Sequence, residues 1–175
     1  MDHPVDRWID PALFRRVMGG FATGVTLVAA RWPDGAIRAM TASAFMSGSL
    51  DPPLCVVSVA RKAHMHACLL SAEGFSVNIL AQGQEALSNH FAGKPVAGLS
   101  VEFHDVEGVP VLPQALAHIV NRKAAVHDCG DHSLFIGAIA TMDSRDGEPL
   151  LYHAGQYGSF RECQVEAEEQ VPPIW

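Results

Sequence analysis

Three short stretches of the chain bring together residue types that could do chemistry. In SVARKAHMHACLL a strand-like run passes straight into a helical one, with Arg61 and Lys62 at the helix entrance. Two cations there oppose the helix dipole, and an anion between them relieves the conflict. A helix N-terminus with Arg and Lys is a phosphate cradle to which Ser58 adds a hydroxyl; the plain alternative is that both cations point into water. In AMTASAF small and hydroxylated residues lie near a strand end. Small side chains let backbone N–H and C=O groups approach a flat ligand, while Thr41 and Ser43 supply hydroxyls. An edge strand packed under a helix would look the same. In CGDHSLF, Gly130, Asp131 and His132 stand at the mouth of a strand. A histidine there can orient an amide, donate a proton, bind metal, or simply face solvent.

Absences narrow the chemistry. The nine histidines invite a metal reading, but His64 and His66 are two apart, poor spacing for one helix face. With no HExxH and no Cys-His cluster, no metal is expected. No GxGxxG follows the first strand, no GxxxxGK[ST] occurs, and there is no GxSxG elbow. A Rossmann domain, a P-loop hydrolase and an α/β-hydrolase are therefore unsupported.

Bulk properties agree with a small-molecule protein. The 175 residues, 49% hydrophobic and 18% charged, suit one domain with a real core. A net charge of -7 without a basic stripe argues against nucleic acid. The opening MDHPVDRWIDP lacks the apolar run of a signal peptide, and no segment has the length of a membrane span. Four dispersed cysteines (Cys55, Cys68, Cys129 and Cys163) fit free thiols in a reducing interior, so a cytoplasmic chain without a membrane partner is expected.

The elements that must position these residues read mostly as strands. Asp10 caps a first helix in which Pro11 suits the first turn, and Leu13, Phe14, Val17, Met18 and Phe21 recur at helical spacing. TGVTLVAARW, a Pro33–Gly35 turn and AIRAMTASAF form a hairpin. LCVVSVA, FSVNIL, VEFHDV, the run His118–His127, SLFIGAIATMDS and PLLYHA add strands, with a Gly-Val-Pro turn after VEFHDV. AHMHACLLSAE and QEALSNHFAG add helices. Short turns between successive strands predict an antiparallel sheet or barrel with flanking helices rather than a doubly wound sheet. The last forty residues are expected to close a barrel begun by the first hairpin.

FATGVTLVAA, AMTASAFMSGSLDPPLCVVSVARK, FSVNILAQGQEALSNHFAG, GVPVL, CGDHSLFIGAIA and LLYHAGQYGSF together resemble the flavin reductase-like family, collinearly from about Phe14 to Phe160. Members include reductase components of two-component monooxygenases. The resemblance implies a mainly β fold, an FMN-binding split β-barrel of Greek-key character. It spans 1–175 as one domain, with a core of about 12–160 and an acidic tail 161–175 expected on the surface or against a partner. It also implies a homodimer with flavin near the interface, FMN or FAD as cofactor, NADH or NADPH as hydride donor, and a partner oxygenase. By residue, it implies that Met40, Thr41, Ala42, Ser43, Ala44 and Phe45 line the isoalloxazine. Ser58, Val59, Ala60, Arg61 and Lys62 match the ribityl and phosphate segment. Asn78 sits in a matching strand, and His90, Phe91 and Ala92 close over the flavin. His132 lies close to where nicotinamide stacks, and Tyr157 helps frame that pocket. Asn121 departs from the pattern, where many relatives carry a cysteine. A flavin-holding electron-transfer module without diffusible-flavin turnover is the alternative on the same fold.

Overall fold

The computed structural model describes residues 9–161. Helix α1 (Pro11–Met18) starts where expected: the Asp10 carboxylate accepts from the N–H groups of Ala12 at 3.1 Å and Leu13 at 3.3 Å. There follow β1 (Thr23–Gly24), β2 (Thr26–Arg31), β3 (Ile37–Ala42), β4 (Phe45–Leu50), β5 (Pro53–Ala60), α2 (His64–Ser71) and β6 (Gly74–Ile79). The rest is α3 (Glu85–Phe91), β7 (His104–Val106), β8 (Val109–Val111), β9 (Ala117–Cys129), β10 (His132–Ser144), β11 (Leu151–His153) and β12 (Gln156–Gly158). The main sheet runs β3-β2-β6-β9-β10-β5-β4, and a small sheet runs β1-β11-β12.

The sheet curls for a covalent reason. β3 and β4 stand at its opposite edges, yet only Ser43 and Ala44 join them. From Ala42 to Phe45 an extended chain reaches about 10 Å, so the two edges must nearly meet. Two bonds pin the seam: Ser58 N–H donates to the Ala44 carbonyl at 3.0 Å, and Thr26 Oγ1 donates to the Ala42 carbonyl at 2.7 Å. The ladder itself does not close, which is the split barrel the sequence implied.

β2 is buried from Thr26 to Ala30 because each of its faces covers a separate core. Val28 and Ala30 pack with Val57, Phe75, Phe135 and the α2 residues Met65 and Leu69, while Leu27 packs with Leu80, Leu87, Leu112 and Leu150. Alternation along each strand thus sends successive side chains into different cores. Fully apolar strands result, with no polar face to mark them.

Some local expectations are corrected. AIRAMTASAF is not one strand: it breaks at Ser43–Ala44, and β4 crosses to the other sheet edge. The turn after VEFHDV is Glu107–Gly108 rather than Gly-Val-Pro, since those two residues take φ of 52° and 81° while Val109–Val111 pairs with β7 and is buried. α2 ends at Ser71, before Ala72 turns extended. β12 had no separate expectation. Cys163 and all of the acidic tail beyond residue 161 lie outside the described residues.

Candidate functional site

The sheet edge at β3 supplies the first wall. Trp32 N–H donates to the Ala36 carbonyl at 2.8 Å, and β2–β3 pairing continues in register with Ala30 opposite Arg38 and Val28 opposite Met40. In an antiparallel ladder the intervening residues turn their backbone groups the other way. Ala39 and Thr41 therefore direct N–H and C=O to the open edge, next to the exposed Ser43.

A cleft of about 380 Å³ opens along this edge, lined among others by Thr41, Ser43, Ser88, Asn89, Ala92 and Tyr157. Three elements are tied together around one serine. Thr41 Oγ1 donates to the Ser88 carbonyl at 2.7 Å, and the Tyr157 hydroxyl lies 2.9 Å from Ser88 Oγ and 3.2 Å from Asn89 Oδ1. β3, α3 and β12 are thereby held at fixed separation. Tyr152 packs edge-on against Tyr157 at 5.3 Å, and Lys94 brings a cation to the rim. Ser88, Asn89, Lys94 and Tyr152 were not anticipated. The first two stand one helical step before His90–Ala92 in the same quoted motif, but nothing in their types marks them.

From the seam a track leads along β5. Ser58 meets Ala44, and Ala60, two residues farther on, faces His132 across the β5–β10 ladder. That step is about 7 Å. His132 opens β10 after a two-residue turn whose first position, Gly130, has φ of 61°, the conformation a type II′ hairpin requires. The turn is held from both sides: Arg61 N–H donates to the Asp131 carbonyl at 3.0 Å, and His66 Nε2 sits 2.9 Å from Ser133 Oγ. His132 Nδ1 lies 2.7 Å from Asp131 Oδ1. That hydrogen bond, reinforced by the charges of His132 and, last, Lys62, lowers the Asp131 carboxyl below its usual range. Asp131 thus fixes the ring and leaves Nε2 outward.

Ten of the predicted residues fall into three groups. Thr41, Ser43, Ala92 and Tyr157 line the cleft; Ala44, Ser58, Ala60 and His132 form the track; Arg61 and Lys62 stand beyond it on a second cavity, together with Trp32, Arg38, Ala63 and His64. Met40, Phe45, Ala42 and Val59 turn their side chains into the core under α2, and Phe91 packs in the other core. Asn78 lies apart from the cleft and the track. Its side chain is wholly buried, donates to the Leu27 carbonyl and Ser76 Oγ, both at 2.9 Å, and accepts from Leu112 N–H at 2.8 Å. Burial demands those partners, so its carboxamide ties β6 to β2 and to the segment that follows β8. His90 likewise accepts from Val96 N–H at 3.0 Å through Nδ1 and stands outside the cleft lining. Among the described residues no cluster of three metal-ligating side chains occurs.

The chain is similar to known proteins in both sequence and fold. The profile of the flavin reductase like domain matches residues 18–161. The FMN reductase (NADH) SmoA of Agrobacterium fabrum is 42% identical over 149 residues, covering 84% of each chain. The reductase component of 4-hydroxyphenylacetate 3-monooxygenase from Thermus thermophilus is 40% identical over 145 residues, 82% of this chain and 93% of that one. The solved structure of flavin reductase PheA2 in its native state superposes with a TM-score of 0.84 at 40% identity, over 88% of this chain and all of the other.

Proposed function

The chain belongs to the flavin reductase-like family, and from that premise we propose that it passes hydride from NADH to FMN or FAD and supplies the reduced flavin to a monooxygenase component. It is an oxidoreductase. Bound flavin supplies the hydride-accepting ring, and the cofactors carry that step themselves. What remains for the chain is to hold two flat rings at reacting distance and to exclude other geometries.

The observation that supports this best is the seam with its cleft. Small residues at Ser43 and Ala92, together with the outward backbone of Thr41, fit the polar edge of a flat heteroaromatic ring. Tyr157 braces the opposite wall through Ser88. Ser58 and Ala60 continue as the floor of the ribityl chain, and Arg61 and Lys62 meet the phosphate at its end. His132, with its ring fixed by Asp131, orients the nicotinamide amide rather than serving as an obligatory base.

The protein works as a homodimer with flavin near the interface. An apolar surface supports that reading: Phe14, Val17 and Met18 on α1, and Met46 and Leu50 on β4, are all more than half exposed. Exposed apolar patches rimmed by polar residues mark interaction sites. Light scattering at micromolar concentration is expected to give a mass near twice 18.8 kDa; a monomer mass would refute it. The expected compartment is the cytoplasm; among the described residues no helix is long and apolar enough to cross a membrane.

NADH oxidation at 340 nm under air, with FMN, FAD or no flavin added, tests the activity, and a repeat with NADPH tests the donor. Fast turnover that depends on added flavin is expected. Flavin binding without turnover would favour the electron-transfer module.

A further inference from the structure

Of the two histidines in the first turn of α2, His64 lines the second cavity, whereas His66 is half-buried against β10. Its Nε2 lies 2.9 Å from Ser133 Oγ, and its ring meets the wholly buried ring of Phe135 edge-on at 5.4 Å. The buried Met65, Cys68 and Leu69 anchor the helix that carries it. Ser133 is only 3% exposed, and among the described residues His66 is the one side-chain partner of its hydroxyl. The contact survives either state of the imidazole, since a bare Nε2 accepts from the hydroxyl and an N–H donates to it.

Ser133 follows His132 at the start of β10, and strand alternation sends their side chains to opposite faces. Ser133 lies opposite Val59, which packs in the core with Met65, while His132 lies opposite Ala60 on the track. His132 has little packing of its own. Its side chain is 41% exposed, and that of its partner Asp131 is 89% exposed. The aim of the His132 ring therefore depends on the backbone beneath it. Two bonds grip that backbone on either side: Arg61 N–H donates to the Asp131 carbonyl at 3.0 Å, and His66 engages the Ser133 hydroxyl. The first is a backbone bond that does not depend on the side chain at 61. The second exists only because residue 66 carries a polar atom at that reach.

We propose that His66 is a positioning residue for hydride transfer: through Ser133 it fixes the start of β10 and so keeps His132 aimed at the nicotinamide. The inference rests on the reading of His132 as the group that orients the nicotinamide amide. Drift of an orienting group costs rate more than flavin affinity, because hydride transfer needs the two rings in near-attack geometry. A residue that acts only through His132 cannot cost more than His132 itself, about tenfold in kcat/KM.

The test is a kinetic cycle with FMN as acceptor. His66→Ala is expected to lower kcat/KM for NADH about three- to eightfold, with FMN affinity changed less than about twofold. His66→Gln, whose carboxamide places a polar atom where Nε2 stood, should restore most of the rate. Ser133→Ala removes the other half of the contact and should reproduce the defect; it also carries the cycle if His66→Ala does not fold. The decisive comparison uses a His132→Ala background. There His66→Ala or Ser133→Ala is expected to change kcat/KM less than about twofold, because no ring remains to be aimed. A general weakening of the fold would cost the same in both backgrounds. An undiminished loss in the His132→Ala background, or unchanged kcat/KM in His66→Ala and Ser133→Ala while His132→Ala is impaired, overturns the positioning role alone. Full activity in His132→Ala would overturn the reading of His132 and the role of His66 with it.

Discussion

Replacing Tyr157 with Phe removes one oxygen and little else, so it isolates the brace across the cleft. In the structure that hydroxyl lies 2.9 Å from Ser88 Oγ and 3.2 Å from Asn89 Oδ1. Ser88 is only 1% exposed, so water cannot readily replace the lost partner. A neutral hydrogen bond contributes about 0.5–1.5 kcal/mol net, and a buried group left unpaired costs about 1–3 kcal/mol. Stability in urea should therefore fall by about 1–2 kcal/mol. If the brace also sets the separation of β12 from α3, kcat/KM for NADH should fall about three- to tenfold, since 1.4 kcal/mol is a factor of ten. Ser88→Ala and the double variant complete a cycle. Direct contact predicts a coupling of at least about 0.5 kcal/mol between the two positions. Additive effects, or an unchanged kcat/KM in Tyr157→Phe, would refute the idea that this contact holds the cleft in its working geometry.

His132→Ala should lower kcat/KM for NADH about tenfold, the worth of one orienting hydrogen bond, while fluorescence titration finds FMN affinity nearly unchanged; complete loss of flavin affinity would count against the assignment. Gly137→Ala should destabilise by about 1–3 kcal/mol in urea, because a Cβ there would come 2.7 Å from Asn121 Cβ. Asn121 cannot retreat, since its carboxamide accepts from Cys55 Sγ at 3.1 Å and donates to the Ile119 carbonyl at 3.1 Å. Burial pushes the Cys55 thiol from 9.0 up to about 11. Its folded value is raised, so its contribution to stability is complete below pH 9 and is lost as pH climbs toward 11; denaturation midpoints that stayed flat over that window would contradict it. In a Cys163→Ser background, the exposed Cys129 should react quickly with a thiol reagent at pH 8, while buried Cys55 and Cys68 react only on unfolding.

Much of the fold was legible because its signals are local. Asp10 and Pro11 announce α1, and the Pro33–Gly35 turn announces the first hairpin. The long runs of β9 and β10 could hardly be anything but strands. The break at Ser43–Ala44 was not legible, since small residues suit a strand end and a strand middle alike. The buried bonds of Asn78 to Leu27, Ser76 and Leu112 were not legible either, since its partners lie far away in sequence or carry no mark of the contact. Tyr157 was named from the resemblance, but its counterpart Ser88 was not, because a serine in a helix carries no mark of what it touches.

Residue types, turn chemistry and the collinear motifs by themselves determined the β-rich class and the family. Those properties are fixed by neighbours in sequence. Only the tertiary structure decided that β3 and β4 face each other across a two-residue seam, and that Thr41, Ser88 and Tyr157, up to 116 residues apart by their numbering, share one set of hydrogen bonds. Only it decided, too, that Arg38 and Trp32 join Arg61 and Lys62 around one hollow. Such contacts depend on how the sheet curls, and the curl follows from pairing between distant strands, whose register is set by both partners together.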